Sequence, residues 1–142
     1  MAKLTLLELT QDIPASTKWA RANKDKVKQK DLARKGTLDG KLISLVTQSR
    51  YRAKEKKFTH NINTKYLREL YLKQEGLCAL SGLEMTIRGT YGSIEYWYST
   101  SIDRIDSTKG YIIGNVQLLC TGVNKIKGSM TDSQFITFCT NV

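Results

Sequence analysis

The stretch that decides the fold is TSIDRIDSTKGYIIGNVQLLCTGVNKIKG, residues 100–128. Polar and apolar residues alternate over residues 101–105, which predicts a strand. Residues 107–114 contain two glycines and indicate a loop. Residues 116–120 are apolar and begin with a β-branched valine, so we expect a second strand there. The compact segment 121–127 then predicts a helix, and the stretch as a whole predicts two strands followed by a helix.

This order of residues resembles the HNH nucleases, also called ββα-metal nucleases. The likeness lies in Ile-Asp-Arg-Ile, a glycine-containing loop, Asn-Val-Gln-Leu-Leu-Cys, and an Asn and a Lys in the helix, and it covers about the last half of the chain. In that family the Asp and the helix Asn hold one divalent metal ion, while the Asn of the second strand pins the loop. The resemblance therefore implies Asp103 and Asn124 as metal ligands and Asn115 as the loop residue. Lys125 and Lys127 are then expected to contact phosphate.

The expected cofactor is Mg²⁺ or Mn²⁺. A hard cation of this kind prefers oxygen ligands and keeps several of its water molecules. One carboxylate oxygen and one amide oxygen are therefore enough from the protein. The metal ion would neutralise charge that develops on the phosphate during cleavage.

The residue that activates the attacking water is left open by the sequence. The family's general-base histidine follows the Asp directly, and Arg104 stands at that place here. A guanidinium stays protonated, so we expect Arg104 to clamp the phosphate or stabilise the transition state. Residues 103–106 also resemble the Asp-Arg-Gly-His strand of a related branch, which makes Asp106 the first candidate base, followed by His60 and Tyr111. The predicted catalytic residues are Asp103, Arg104, Asp106, Asn115 and Asn124.

Three cysteines, an odd number, favour a reducing compartment over a disulfide framework. Many HNH proteins bind a structural zinc ion through two CxxC pairs. Cys78 and Cys120 stand at the first position of each pair, but Ser81 and Val123 occupy the second. The resemblance therefore implies a relative without structural zinc. A residual metal site of Cys78, Cys120 and His60 is the alternative.

The positive charge of the chain is concentrated in its first part. The formal net charge is +10, and residues 1–60 hold 15 Lys/Arg against 6 Asp/Glu, whereas residues 61–142 hold 8 against 7. Such a distribution is typical of a surface that binds a polyanion. We expect residues 1–60 to form a basic helical DNA-binding arm and residues 61–142 to form the nuclease domain. The DNA-contacting residues expected from these patterns are Lys18, Arg21, Lys24, Lys28, Arg50, Arg52, Lys125 and Lys127.

The remaining pattern predicts an α+β fold with a ββα-metal (HNH) core, basic N-terminal helices and a C-terminal helix. Helices are predicted over residues 15–35, 38–57, 64–74 and 129–142, an ordered arm over residues 1–11, and a hairpin or irregular insert over residues 85–100. Asn63 or Thr64 is the expected N-cap of the third helix. Thr131 and Gln134 predict a capping box for the last helix. The residues expected to face inward there are Phe135, Ile136, Phe138 and Cys139.

These observations favour a cytoplasmic protein of a bacterial or phage-infected cell, because no apolar run approaches the length of a membrane span. The predicted function is an HNH-type endonuclease, of the homing or nicking kind, that hydrolyses phosphodiester bonds in double-stranded DNA. The alternative is a catalytically inactive protein with an HNH fold that binds nucleic acid. Charge does not separate DNA from RNA, so RNA stays open as the target. The sequence gives no indication of the oligomeric state.

Overall fold

A computed structural model describes residues 15–142, apart from the side chains of residues 15–18, 31, 32 and 35. The arm expected over residues 1–11 lies outside the described residues. The chain divides into two compact units, Met1–Arg34 and Lys35–Val142.

The described residues form seven helices and one two-stranded antiparallel sheet, which is an α+β arrangement. The first unit holds α1 (Ala15–Ala22) and most of α2 (Lys24–Lys35). The second unit holds α3 (Leu38–Glu55), α4 (Thr64–Lys73), α5 (Ile94–Tyr98), β1 (Thr100–Arg104), β2 (Val116–Cys120), α6 (Thr121–Lys127) and α7 (Asp132–Thr140).

The expected division at residue 60 differs from the one in the structure. α3 belongs to the same unit as everything that follows it. Leu42 and Val46 of α3 are buried in one core with Leu118 and Leu119 of β2. The apolar face of α3 therefore completes this core, and the strongly basic end of that helix is part of the larger unit.

The first unit contains two helices where one was predicted. The interruption is at Asn23, whose side-chain Nδ2 donates to the carbonyl oxygen of Trp19 at 2.9 Å. Asn side chains compete in this way with the regular hydrogen bonds of a helix. α2 ends at Lys35, immediately before Gly36, as the sequence predicts.

The sheet is short and deeply placed. Five residue pairs join β1 to β2, among them Asp103 opposite Gln117, and all five residues of β2 are buried. The outer edge of β2 is covered by the side chain of Gln74, which donates to the Leu118 carbonyl at 2.9 Å and accepts from the Leu118 amide at 3.1 Å. An amide side chain thus takes the place of a third strand at this edge.

α6 follows β2 without a connecting loop, so the helix packs back onto the strands that precede it. Gly122 allows α5 to approach α6 closely. A Cβ atom at Gly122 would lie 2.9 Å from the ring of Trp97, closer than side chains tolerate. The segments predicted as strand, strand and helix are confirmed, with β2 and α6 at the expected bounds.

The predicted caps are also confirmed. Asn63 Oδ1 accepts from the Tyr66 amide at 2.8 Å and begins α4. Thr131 and Gln134 form the expected capping box at the start of α7. The insert before β1 contains the short helix α5 and no hairpin.

The inward face predicted for α7 is wrong in part. Phe135 is buried at 7% exposure, whereas Ile136 and Phe138 are 50% and 53% exposed and Cys139 is exposed as well. α7 is a terminal helix that contacts the rest of the unit along one narrow side. A stripe of apolar residues therefore overstates how much of this helix is covered.

Within the part of the chain that the structure describes, no helix is long and apolar enough to cross a membrane.

Candidate metal centre and basic cleft

Asp103 is the fourth of the five residues of β1 and is 5% exposed. Its Oδ2 atom is 2.9 Å from the Lys127 ammonium and accepts a hydrogen bond from Gln117 Nε2 at 2.9 Å. Gln117 is the residue opposite Asp103 in the β1–β2 register. The strand pairing and α6 therefore fix this carboxylate from two sides.

Lys127 does not occupy the position expected for a phosphate contact, and that prediction is corrected. Its side chain is 0% exposed, and the ammonium lies 3.4 Å from Asp132 Oδ1 in addition to its contact with Asp103. Gln117 Nε2 also donates to Asp132 Oδ1 at 3.0 Å. A lysine on the strand-facing side of α6 is removed from water, and a buried ammonium requires carboxylate partners.

Asn124 faces the same strand one helical turn before Lys127. Its Nδ2 donates to the Ile102 carbonyl at 2.9 Å and to Ser101 Oγ at 3.0 Å. Ser101 and Asp103 are two positions apart in β1 and share one face of the sheet. The helix therefore presents Asn124 and Lys127 to neighbouring residues of β1, as the i, i+3 spacing requires.

The two expected metal ligands use only part of their polar groups in these contacts. Among the described residues, Gln117 and Lys127 contact Asp103 through Oδ2, and Asn124 makes its two hydrogen bonds through Nδ2. No group of three or more His, Cys, Asp or Glu side chains in the described part of the chain is placed to hold a metal ion. The donor set is thus one carboxylate and one amide oxygen, which suits a cation that keeps most of its waters.

Asn115 holds the loop between the strands, which is the role that the resemblance implies. Its Oδ1 accepts from the Asp106 amide at 2.9 Å. Its Nδ2 donates to the carbonyls of Asp106 at 3.1 Å and of Gly110 at 2.9 Å. One buried side chain therefore satisfies three backbone groups of a loop that has no regular secondary structure.

Arg104 is used inside the same loop. Its guanidinium donates to the carbonyls of Ser107 and Lys109, each at 2.9 Å. The same group lies 4.5 Å from the ring centroid of Phe58 and 5.3 Å from that of Tyr111, within range of a cation–π interaction. Arg104 therefore orders the loop, a role that the sequence did not indicate.

Asp106, the first candidate base, is held as an anion. Its Oδ1 accepts from the Thr108 hydroxyl at 2.6 Å and from the Thr108 amide at 3.0 Å. These hydrogen bonds, with a smaller contribution from Lys109 at 3.3 Å, lower the pKa of Asp106 below its ordinary value. A lower pKa makes a carboxylate a weaker proton acceptor.

His60, the second candidate, is placed beside the third. The His60 ring centroid is 6.0 Å from that of the buried Tyr111, and its Nε2 is 2.9 Å from Ser49 Oγ. Burial, and to a smaller extent the charge of Arg50, lower the pKa of His60. The imidazole is therefore neutral at neutral pH and able to accept a proton.

The residual metal site considered for Cys78, Cys120 and His60 is not assembled. Both cysteines are buried, and the Cys78 thiol is hydrogen-bonded by Ser81. Burial, together with the neighbouring Cys78, raises the pKa of Cys120 to about 11. His60 is directed to Ser49 instead. A thiol held neutral in this way is a poor metal ligand at neutral pH.

A basic cleft of about 370 Å³ opens beside Asn124, between α3, α5, β1 and α6. Ser101 and Asn124 contribute polar groups to its wall. Three cations, Lys41, Arg52 and Lys125, also line it, and burial lowers the pKa of Lys41. A polar depression with cationic walls is suited to a phosphate group.

The other expected DNA contacts differ in their surroundings. Arg50 and Arg52 are exposed on α3, and Lys125 is exposed on α6. Exposed cations of the first unit are Arg21, Lys24 and Lys28. The Lys18 side chain lies outside the described residues.

Three contributors to the site were missed by the sequence analysis. Gln117 gave a signal, since it is a polar residue in the middle of an apolar strand. Asp132 gave a weaker one, because an acidic residue in the first turn of a helix is already explained by capping. Nothing in the sequence around Lys41 indicated a functional role, because this residue reaches the cleft only through the packing of α3.

Comparisons with family models, with curated proteins and with solved structures found no match to this chain. A proposal about the function of this protein therefore rests on its sequence and on the contacts described above.

Proposed function

We propose that the protein is a metal-dependent endonuclease of the HNH, or ββα-metal, kind that hydrolyses phosphodiester bonds in double-stranded DNA. The observation that carries this proposal is the placement of Asp103 on β1 and of Asn124 on α6, the helix that packs on that strand and bonds to the residue before Asp103. The basic cleft beside Asn124 supplies the accompanying phosphate contacts.

In this proposal each residue has a separate task. Asp103 and Asn124 hold the ion, which when bound neutralises charge on the phosphate and its leaving oxygen. Lys125 and Arg52 bind the strand on either side, because both are cations of the cleft. Asn115 keeps the loop in shape through its three hydrogen bonds.

The proton acceptor is proposed to be His60 in preference to Asp106. Asp106 Oδ1 is occupied by the hydroxyl and the amide of Thr108, whereas His60 contacts Ser49, which lines the basic cleft, and its lowered pKa keeps the imidazole neutral. His60→Ala should therefore slow cleavage more than Asp106→Ala does. Equal or reversed effects on the cleavage rate would exclude this assignment.

A second candidate function is binding of nucleic acid without hydrolysis. The observation that favours it is the contact between Lys127 and Asp103, which brings an ammonium to the carboxylate that the metal ion would need. Arg104 in place of the family's histidine favours it as well. Both functions use the same basic cleft, so binding alone does not separate them.

Incubation with supercoiled plasmid and Mg²⁺ or Mn²⁺ tests the proposal. We expect nicking that EDTA abolishes, and losses of rate on the order of 100-fold for Asp103→Asn and Asn124→Ala, the size that follows removal of one charge-stabilising group. Asn141→Ala on the exposed end of α7 is the matched control and should keep full activity. Salt-sensitive binding without cleavage in either metal would favour the second candidate.

A further inference from the structure

A cluster of aromatic side chains surrounds Lys125. The Lys125 Nζ atom lies 5.4 Å from the ring centroid of Tyr91, 4.8 Å from that of Tyr96 and 5.5 Å from that of Trp97. The rings also contact one another, at 5.2 Å between Tyr91 and Tyr96 and 6.4 Å between Tyr96 and Trp97. We name these three aromatic residues the aromatic platform.

The platform is open to solvent. Tyr91 is 81% exposed and Trp97 is 45% exposed. Large aromatic side chains gain more from burial than most others, and a group of them left in water marks an interaction surface. The aromatic residues are neighbours in space, so their exposure is a property of one patch.

The platform is also held in a defined shape. Gly89 brings its loop against α5 so closely that a Cβ there would lie 2.5 Å from the Cα atom of Tyr96. The Thr86 hydroxyl bridges the two segments through the carbonyls of Arg88 at 2.9 Å and Glu95 at 3.2 Å. A backbone fixed before binding loses little conformational freedom when a ligand stacks on the side chains that it carries.

The position of the platform identifies the ligand. Tyr96 of the platform and Lys125, which lies over its ring, both line the basic cleft. Lys41 and Arg52 are the other cations of that cleft. Aromatic faces next to a cationic groove are the combination that binds single-stranded nucleic acid. The faces of paired bases are covered inside a duplex, so only an unpaired base is free to stack on a side chain.

We propose that the aromatic platform stacks unpaired bases of a nucleic-acid strand whose phosphates lie in the basic cleft. The substrate class of the proposed nuclease is then DNA that carries a single-stranded segment next to the duplex, and this extension to a substrate rests on the proposed function. The stacking itself does not depend on hydrolysis and is testable without it.

Fluorescence anisotropy in EDTA, where metal-dependent cleavage does not occur, measures the stacking. The ligands are a single-stranded oligonucleotide, an abasic strand of the same length and the matching duplex. We expect the full chain to prefer the strand with bases over the abasic strand, because the two carry the same phosphates. Tyr91→Ala should reduce affinity for the strand with bases by about fivefold or more and leave the abasic strand unchanged.

Two variants control for effects unrelated to stacking. Tyr91→Phe keeps the ring and should keep the affinity. Phe138→Ala removes an aromatic side chain of 53% exposure from α7 and should change neither ligand's affinity. Because Tyr91 is so exposed, Tyr91→Ala is expected to fold normally.

The fluorescence of Trp97 gives an independent readout. The chain has two tryptophans, so Trp19→Phe leaves Trp97 as the only one. A base stacked on the platform should quench its emission, and the abasic strand should not. Equal binding of both strands, or no effect of Tyr91→Ala, would overturn the proposal. Base-dependent binding without any nicking of DNA would support the role of the platform and exclude the proposed nuclease function.

Discussion

Lys127 and Asp103 show how one buried ion pair determines the interior of the site. The Lys127 side chain is 0% exposed, and its ammonium contacts Asp103 at 2.9 Å and Asp132 at 3.4 Å. Gln117 bonds both carboxylates and so completes the network. Such a network depends on its partners, because Lys127 and Asp103 are almost completely removed from water.

Lys127→Met should therefore destabilise the protein by about 3–5 kcal/mol, the usual result of removing one partner of a buried pair. Urea denaturation followed by circular dichroism measures this change. Lys125→Met is the matched control on the exposed side of the same helix. Its stability should stay within about 1 kcal/mol of the parent chain, because it loses only exposed cation–π contacts. Similar stabilities for the two variants would show that the pair contributes nothing.

The sequence could not reveal this role of Lys127. A lysine near the end of a basic helix is usually solvated, and nothing in its neighbours distinguishes it from Lys125 two positions earlier. What separates them is the direction in which α6 packs on β1. The loop-holding role of Asn115, in contrast, was expected from the family resemblance, and the side chain bonds three backbone groups of that loop.

Among the elements, the loop between the strands depends most on single side chains. Asn115 supplies three hydrogen bonds to its backbone, and the Arg104 guanidinium supplies two more. A second segment supports the loop from outside. The Asn61 amide donates to the Tyr111 carbonyl at 3.0 Å, and Asn61 Oδ1 accepts from the Ile113 amide at 2.9 Å.

Asn115→Ala should leave three backbone groups of the loop without partners and cost about 2–3 kcal/mol. Thermal unfolding gives the stability, and hydrogen exchange should show faster exchange at the Asp106 amide. Asn141→Ala, which removes one exposed hydrogen bond to the Thr137 carbonyl, should change the stability by about 0.5 kcal/mol or less and leave exchange at the Asp106 amide unchanged. A stable variant with an unchanged exchange rate would mean that the loop keeps its shape without Asn115.

The sequence predicted the helices and strands correctly where neighbouring residues determine them. It was wrong where contacts between distant parts of the chain determine the structure. The bounds of β2 and α6, and the caps of α4 and α7, follow from residue types within a few positions. The short α5 depends on its packing against α6 and against the preceding loop at Gly89. The exposure of Ile136 and Phe138 depends on how little of α7 the rest of the unit covers.

At the scale of the whole molecule, the positive charge is shared by both units. Residues 1–34 carry eight Lys/Arg and four Asp/Glu, while residues 35–142 carry fifteen and nine. The division at residue 60 expected from the sequence assigned the basic end of α3 to the N-terminal arm. In the structure α3 belongs to the larger unit, so those positive charges are counted there. The core residues Leu42, Leu67 and Leu118 also lie in that unit.

A chain of residues 35–142 should therefore fold and still bind DNA. We expect its affinity to fall less steeply with salt than that of the full chain, because fewer phosphates are neutralised. Titrations by anisotropy at several salt concentrations give the two slopes, and circular dichroism checks folding. An unchanged slope would place residues 1–34 outside the DNA-binding surface.

Asp103 already has a positive partner in the absence of any ion, since Lys127 lies against it. Sites built from several clustered carboxylates repel themselves when empty, and proteins that contain them often gain much of their stability on loading. In the proposed nuclease, folding therefore does not depend on the metal ion. The protein should reach the same fold with and without the ion, and a chelator should stop the proposed cleavage while the melting temperature stays nearly constant.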